Sequence, residues 1–127
     1  MDRHAVLVVD DDQSMRDLLR TSLEGQGFAV QCAGDAEVAL EALGADQFDL
    51  VLLDLALPGA YGLEVIRRLR QRRPAGRPAI VVVSGIHASY LSAIRACGAD
   101  DVVLKPFDLD DLLARVRACL AARTQVG

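Results

Sequence analysis

Aromatic side chains are scarce in this chain: they make up 4% of its 127 residues, and tryptophan is absent. The core must therefore be aliphatic, filled by Val, Leu, Ile and Ala. Cysteine is sparse too. Cys32, Cys97 and Cys119 are odd in number and widely spaced, which suits neither a disulfide framework nor a zinc site and fits reduced, partly buried thiols. Long apolar runs are missing. Met1-Asp2-Arg3-His4 leads into only five apolar residues before the first acids, too few for a signal-peptide core or a membrane span. The expectation is a cytoplasmic protein with no membrane contact. Positive charge is also in deficit, since 14 Lys and Arg against 18 Asp and Glu leave a formal charge of -4. That balance argues against direct nucleic-acid contact, because phosphate backbones attract basic surfaces. No linker, repeat or low-complexity stretch interrupts the chain, and its length suits one domain.

What is present alternates between strand-like and helix-like segments. Ala5–Val9 is continuously apolar and β-rich, the pattern of a strand covered on both faces. Gln13–Glu24 places Met15, Leu18, Leu19 and Leu23 on one helical face, and Gly25 and Gly27 end it. Phe28–Cys32 reads as a second strand, and Asp35 as the cap of a helix over Ala36–Leu43 that Gly44 closes. Phe48–Leu53 is a third strand. A loop with Pro58, Gly59 and Gly62 leads to a helix over Leu63–Arg73, with Leu63, Ile66 and Leu69 facing inward. Ala79–Val83 is a fourth strand, Ser89–Cys97 a helix ended by Gly98, Val102–Leu104 a short fifth strand, and Leu109–Ala122 a last helix capped by Asp108. Five such units predict a three-layer α/β sandwich, doubly wound and flavodoxin-like, around a parallel five-stranded sheet in the order 2-1-3-4-5. The domain is expected over residues 4–122, with 123–127 as a frayed C-terminal tail.

Four of the strands end in residues that handle phosphate or a metal ion. The first runs into Asp10, Asp11 and Asp12, the third into Asp54, the fourth into Ser84 and the fifth into Lys105-Pro106. In a parallel sheet these C-terminal edges lie side by side, and ligands bind in the crevice outside them. Three carboxylates gathered at the first and third strands repel one another, and a divalent cation relieves that repulsion. Hard oxygen donors of this kind suit Mg²⁺. Lys105 can counter a phosphoryl group as a compact charge, and Ser84 can donate a hydrogen bond to its oxygens. Taken singly, each has an ordinary structural use as a loop cap, a surface charge or a turn residue. In order, they form a pattern.

The stretches VLVVDDDQSMR (residues 6–16), DLVLLDLALPGAYGLEV (49–65), VVVSG (81–85) and GADDVVLKPF (98–107) agree in order and spacing with one family. Through them the chain closely resembles the receiver domains of two-component response regulators, of the chemotaxis-regulator-like kind, over essentially its whole length. The resemblance implies that Asp54 is the phosphoacceptor, charged from a phosphohistidine on a sensor histidine kinase or phosphotransfer protein. It implies that Asp10, Asp11, Asp54 and the backbone carbonyl of Ala56 hold Mg²⁺. Lys105 would pair with the phosphoryl group and Ser84 would stand as the switch hydroxyl. The output face would be the fourth helix, fifth strand and fifth helix, toward a target the sequence does not name. Such a domain catalyses only its own phosphorylation and dephosphorylation, and is expected as a monomer or weak homodimer.

Three positions depart from that family's pattern. Val102 stands where a Tyr or Phe usually precedes the lysine by three residues, so a ring rotation is not available as a reporter. Tyr61 occupies a place that is often Asp, where it could gate the pocket, contact a partner or simply sit in a loop. The stretch from Ser84 to Gly98 is about one residue short, which delays or distorts the fourth helix. Arg67, Arg68, Arg70, Arg72, Arg73 and Arg77 crowd the end of the third helix. Helix C-termini favour cations, so this reads first as solvated charge, with a partner contact as the other reading. Two further functions are weighed. One is a receiver fold used as a phosphorylation-independent interaction module. The other is a phosphohydrolase of the haloacid-dehalogenase type, suggested by Asp10-x-Asp12, although Asp100 and Asp101 precede Lys105 where that family's later acids follow its lysine. No DNA-binding helix-turn-helix follows Arg123, so a stand-alone receiver or the first domain of a larger regulator is expected.

Overall fold

The computed structural model describes residues 3–57, 62–72, 78–85 and 90–125. Five strands, β1 (Ala5–Val9), β2 (Ala29–Ala33), β3 (Leu50–Leu53), β4 (Ala79–Ser84) and β5 (Asp101–Leu104), alternate with five helices. These are α1 (Gln13–Gly25), α2 (Ala36–Ala45), α3 (Gly62–Arg72), α4 (Leu91–Ala96) and α5 (Leu109–Gln125). The strands form one sheet in the order β2-β1-β3-β4-β5, parallel at every pairing, which is the flavodoxin-like order expected. Every residue of β3 and β4 is buried, because helices cover both faces of the central strands.

Side-chain alternation along the strands splits the core into two layers. Val6, Val8, Leu50, Leu52, Val81 and Val103 pack with Leu19 and Leu23 of α1 and Leu112, Val116 and Leu120 of α5. Leu7, Val9, Val51, Leu53, Ile80, Val82 and Val102 pack on the other face with α2, α3 and Ile94 of α4. Almost all of these are aliphatic, which answers the shortage of aromatic residues.

Two glycines end helices by taking a positive φ. At Gly27 (φ 92°) the amide of Phe28 reaches the carbonyl of Leu23 and that of Gly27 reaches Glu24, so Phe28 folds back onto Leu23. Gly98 (φ 117°) repeats the arrangement after α4, with Ala99 bonded to Ile94 and Gly98 to Arg95. Gly44 does not close α2. The helix runs on to Ala45, and the amide of the extended Asp46 bonds the carbonyl of Ala42. Burial of the adjoining Ala42 and Leu43 outweighs the helical cost of one glycine, about 1 kcal/mol.

Several other boundaries and faces shift. β2 begins at Ala29 and β3 at Leu50, while α5 continues through Gln125. The fourth helix begins at Leu91, with Tyr90 at its N-cap making no side-chain capping bond. Ser89, expected to start it, lies outside the described residues, as do Pro58, Gly59, Tyr61, Arg73 and Arg77. Leu18 and Leu63 are exposed, at 45% and 46%. At about 100° per residue each stands roughly a quarter turn or more from the buried direction, set by Leu19 and Leu23 in α1 and by Val65, Ile66 and Leu69 in α3.

Of the arginine cluster, Arg67, Arg68 and Arg70 have described side chains, and these make separate contacts. Arg67 and Arg68 both pair with Glu64 one turn back. Arg70 is mostly buried and joins three segments: its guanidinium donates to the carbonyls of Gly98 and Pro78 and to Asp100 Oδ2, at 2.9–3.0 Å. Asp100 Oδ2 in turn accepts from the amide of Ile80 at 2.7 Å. A Cβ on Gly98 would stand 2.8 Å from Arg70 Cγ, in a backbone region that L side chains rarely adopt. Gly98→Ala is therefore expected to cost about 1–2 kcal/mol, seen in urea unfolding as a lower midpoint at unchanged slope.

Candidate functional site

The pocket is made by where the strands stop. β1 and β3 are neighbours, and the ladder carries on one step past them: Asp54 donates its amide to Val9 at 2.9 Å, and Asp10 donates to Ala33 at 3.1 Å. Those bonds set Asp10 and Asp54 side by side at the sheet edge. Both carboxylates are buried, with side-chain exposures of 3% and 7%. Each uses one oxygen to hold its own loop, Asp10 Oδ1 accepting from the amide of Asp12 and Asp54 Oδ1 from that of Ala56, both at 2.9 Å. The second oxygen of each faces Lys105, whose Nζ lies 3.0 Å from Asp10 Oδ2 and 3.0 Å from Asp54 Oδ2.

Asp11 is exposed at the mouth, and its carboxylate, with those of Asp10 and Asp54, brings ligand oxygens to within 4.8 Å of one another. One ammonium against three carboxylates leaves the pocket net negative. A set of hard oxygens of this kind fits a small divalent cation such as Mg²⁺. Ala56 is exposed beside the pocket, with its amide committed to Asp54.

Lys105 reaches this place because β5 delivers it, its amide bonding the carbonyl of Ser84 at 2.9 Å. Ser84 is fully buried as the last residue of β4, and its Oγ finds no hydrogen-bond partner among the described residues. A buried hydroxyl left unmatched costs about 1–3 kcal/mol, so its presence calls for a use. Val102 is 7% exposed and packs in the layer with Ile80, Val82 and Ile94.

The expected site residues Asp10, Asp11, Asp54, Ser84 and Lys105 thus lie together, with Ala56 next to them. Asp12 belongs elsewhere. Its carboxylate accepts from the amide of Ser14 at 2.9 Å and caps α1, which removes the second acid that a dehalogenase-type motif requires. Arg16 was not legible as a site neighbour: from α1 its guanidinium donates to the backbone carbonyl of Asp10 at 2.7 Å. Only its place one turn beyond the Asp12 cap hints at that.

Burial works against the charge on Lys105, and the hydrogen bonds and charges of Asp10 and Asp54 outweigh it, so its pKa is raised above the ordinary 10.5. A raised value means that the folded state binds the proton more tightly than the unfolded chain. The stabilisation is present in full below about 10.5 and is lost as pH climbs through the higher folded value. Lys105 is the chain's only lysine. Urea unfolding between pH 9 and pH 12 should therefore show the parent losing stability at the alkaline end relative to Lys105→Met, with parallel curves overturning this assignment.

The family model for the response regulator receiver domain matches residues 6–117. The chain is 42% identical over 119 residues to the response regulator MprA of Mycolicibacterium vanbaalenii, covering 94% of this chain and 51% of that protein. It is 42% identical over 118 residues to the DNA-binding response regulator MtrA of Mycolicibacterium smegmatis, covering 93% and 51%. The chain thus spans about half the length of these curated relatives. Among solved structures, a CheY-like receiver domain from Methanospirillum hungatei superposes with a TM-score of 0.92 at 29% identity, covering 99% of this chain and all of that one. TrrA of Thermotoga maritima, in complex with Mg²⁺ and a beryllium fluoride, gives 0.81 at 32% identity, covering 91% and 98%. Fold, strand-end acids and relatives agree, and the chain belongs to the response regulator receiver domain family.

Proposed function

We propose that residues 4–122 act as a phosphorylation-controlled switch in which Asp54 accepts a phosphoryl group from a phosphohistidine on a sensor histidine kinase or phosphotransfer protein. The observation that carries this reading is the shared ion pair: Lys105 bonds both Asp10 and Asp54 at 3.0 Å, so a positive charge already stands where phosphoryl oxygens would arrive. Asp54 Oδ1 is held by the amide of Ala56, which fixes the carboxylate plane and leaves Oδ2 as the attacking atom. In the transfer, Oδ2 forms a bond to phosphorus as the phosphorus–nitrogen bond to the donor imidazole breaks in line with it. Lys105 exchanges its contact with Asp54 for one with a phosphoryl oxygen. Asp10, Asp11, Asp54 and the backbone carbonyl of Ala56 are the residues that would hold Mg²⁺, and a bound Mg²⁺ supplies charge neutralisation at the phosphoryl oxygens. Hydrolysis of the aspartyl phosphate resets the site, and no other substrate is turned over.

Ser84 is the reader in this account. Its buried hydroxyl, unmatched among the described residues, donates to the new phosphoryl oxygens, so the end of β4 moves inward toward Asp54 and draws the chain that leads to α4 with it. The surface that changes is the one shared by α4, β5 and α5. There Arg95 and Arg115 both pair with Asp101, and Arg115 also pairs with Asp111, beside a groove lined by Leu91, Val102 and Phe107. With valine at 102 the signal travels through backbone and helix packing. The family match supports a cytoplasmic setting, and no helix among the described residues is long and apolar enough to cross a membrane. An output partner binds that face of a monomer or weak dimer. A DNA-binding part, as MtrA's name states for that relative, would belong to chain outside these residues.

Val102 also favours a second reading, a receiver fold that binds a partner whatever its phosphorylation state. Incubation with acetyl phosphate and Mg²⁺ separates the two: intact mass should show one phosphoryl group on the parent and none on Asp54→Ala. Equal labelling of both, or of neither, sinks the phosphoacceptor reading. Ser84→Ala should still be phosphorylated, should lose the amide shift changes of residues 91–96, and without phosphate should be about 1 kcal/mol more stable.

A further inference from the structure

We infer that Arg16 is a positioning residue for the metal site: it orients the peptide that joins Asp10 to Asp11. This rests on the reading of those acids as Mg²⁺ ligands. The amide of Asp10 continues the ladder onto Ala33, but β2 ends there and its chain turns through Gly34 to the Asp35 cap of α2. The ladder therefore supplies nothing further for the carbonyl of Asp10, a residue only 2% exposed. Arg16 Nη1 supplies the bond at 2.7 Å, from one turn beyond the Asp12 cap of α1. The carbonyl of Asp10 and the amide of Asp11 belong to one rigid plane. Fixing that carbonyl therefore fixes where the amide and Cα of Asp11 lie, the point from which its side chain leaves the backbone.

Gly34 makes room for this. The guanidinium passes over it, and a Cβ there would stand 3.2 Å from Nη1 and 3.6 Å from Cζ. Arg16 thus joins the start of α1 to the loop carrying two acids and lies against the turn after β2. Among the described residues it is in no ion pair, so its charge is not spent on a carboxylate of the site.

Charge and geometry make opposite demands, which gives a clean test. If Arg16 acted only as a cation near an acidic pocket, removing it would tighten Mg²⁺ binding. If it orients the Asp10–Asp11 peptide, removing it weakens Mg²⁺ binding, by about tenfold or more as for other outer-shell partners. The experiment is calorimetric titration of the folded chain with Mg²⁺ alone for the parent, Arg16→Gln and Gly34→Val, beside thermal melting and amide exchange at Asp11 without metal. Gly34→Val keeps the charge but pushes the guanidinium aside, and should weaken Mg²⁺ binding in the same sense. In both variants the Asp11 amide should exchange faster. Unchanged or tighter Mg²⁺ binding in Arg16→Gln, with only the melting temperature lowered, would show a purely structural bond and overturn the inference. A parent that binds no Mg²⁺ overturns the metal reading itself, and this inference with it.

Discussion

Two buried carboxylates that share one ammonium set the terms for the rest of this structure. Asp10 and Asp54 are 2% and 5% exposed, and Lys105 stands between them. Burying two like charges close together is costly unless something of opposite sign is brought to them. The chain meets that demand from 51 and 95 residues away, by ending β5 beside the site. The parallel sheet is what makes the delivery possible. Every strand runs the same way, so each C-terminal residue arrives at one edge. The aliphatic layers on both faces keep those strands in register, and a slip of one residue in any of them would move an acid, the hydroxyl or the lysine to the opposite face.

The same arrangement explains why the site can be both stable and responsive. One oxygen of each buried acid belongs permanently to its own loop, through the amides of Asp12 and Ala56. Among the described residues the other is held by Lys105 alone, a flexible point charge that can change partners without moving the backbone. Ser84 contributes the opposite property, a hydroxyl buried at a cost that an incoming anion would relieve. At the far side of the fold, Arg70 and the Gly98 turn pin the C-terminal end of α4 to α3 and to β4. At the other end of α4, Tyr90 makes no side-chain capping bond among the described residues.

Much of this was legible in the sequence, for a definite reason. Asp10, Asp54, Ser84 and Lys105 each follow an uninterrupted apolar run, and a strand in a parallel sheet has its end and its neighbours fixed by that run. Asp35, Asp108 and Gly98 were legible because capping is local chemistry. Other features depended on tertiary contact. Leu63 looks like a core residue by spacing, yet the angle at which α3 sits on the sheet turns Val65 inward instead. Gly44 looks like a helix stop, but packing of its neighbours carries the helix through it. Arg16 and Arg70 reach backbone carbonyls through long side chains, and no local pattern states which carbonyl a strand will leave unmatched.

The central claim is that Asp54, rather than either neighbouring acid, carries the phosphoryl group. It is tested most directly by treating the chain with acetyl phosphate and Mg²⁺, reducing it with borohydride, and sequencing its peptides by mass spectrometry. Reduction converts an aspartyl phosphate, and not a free carboxylate, to homoserine. The account requires homoserine at position 54 alone. Homoserine at position 10 or 11, or at no position in a chain that binds Mg²⁺, would contradict it.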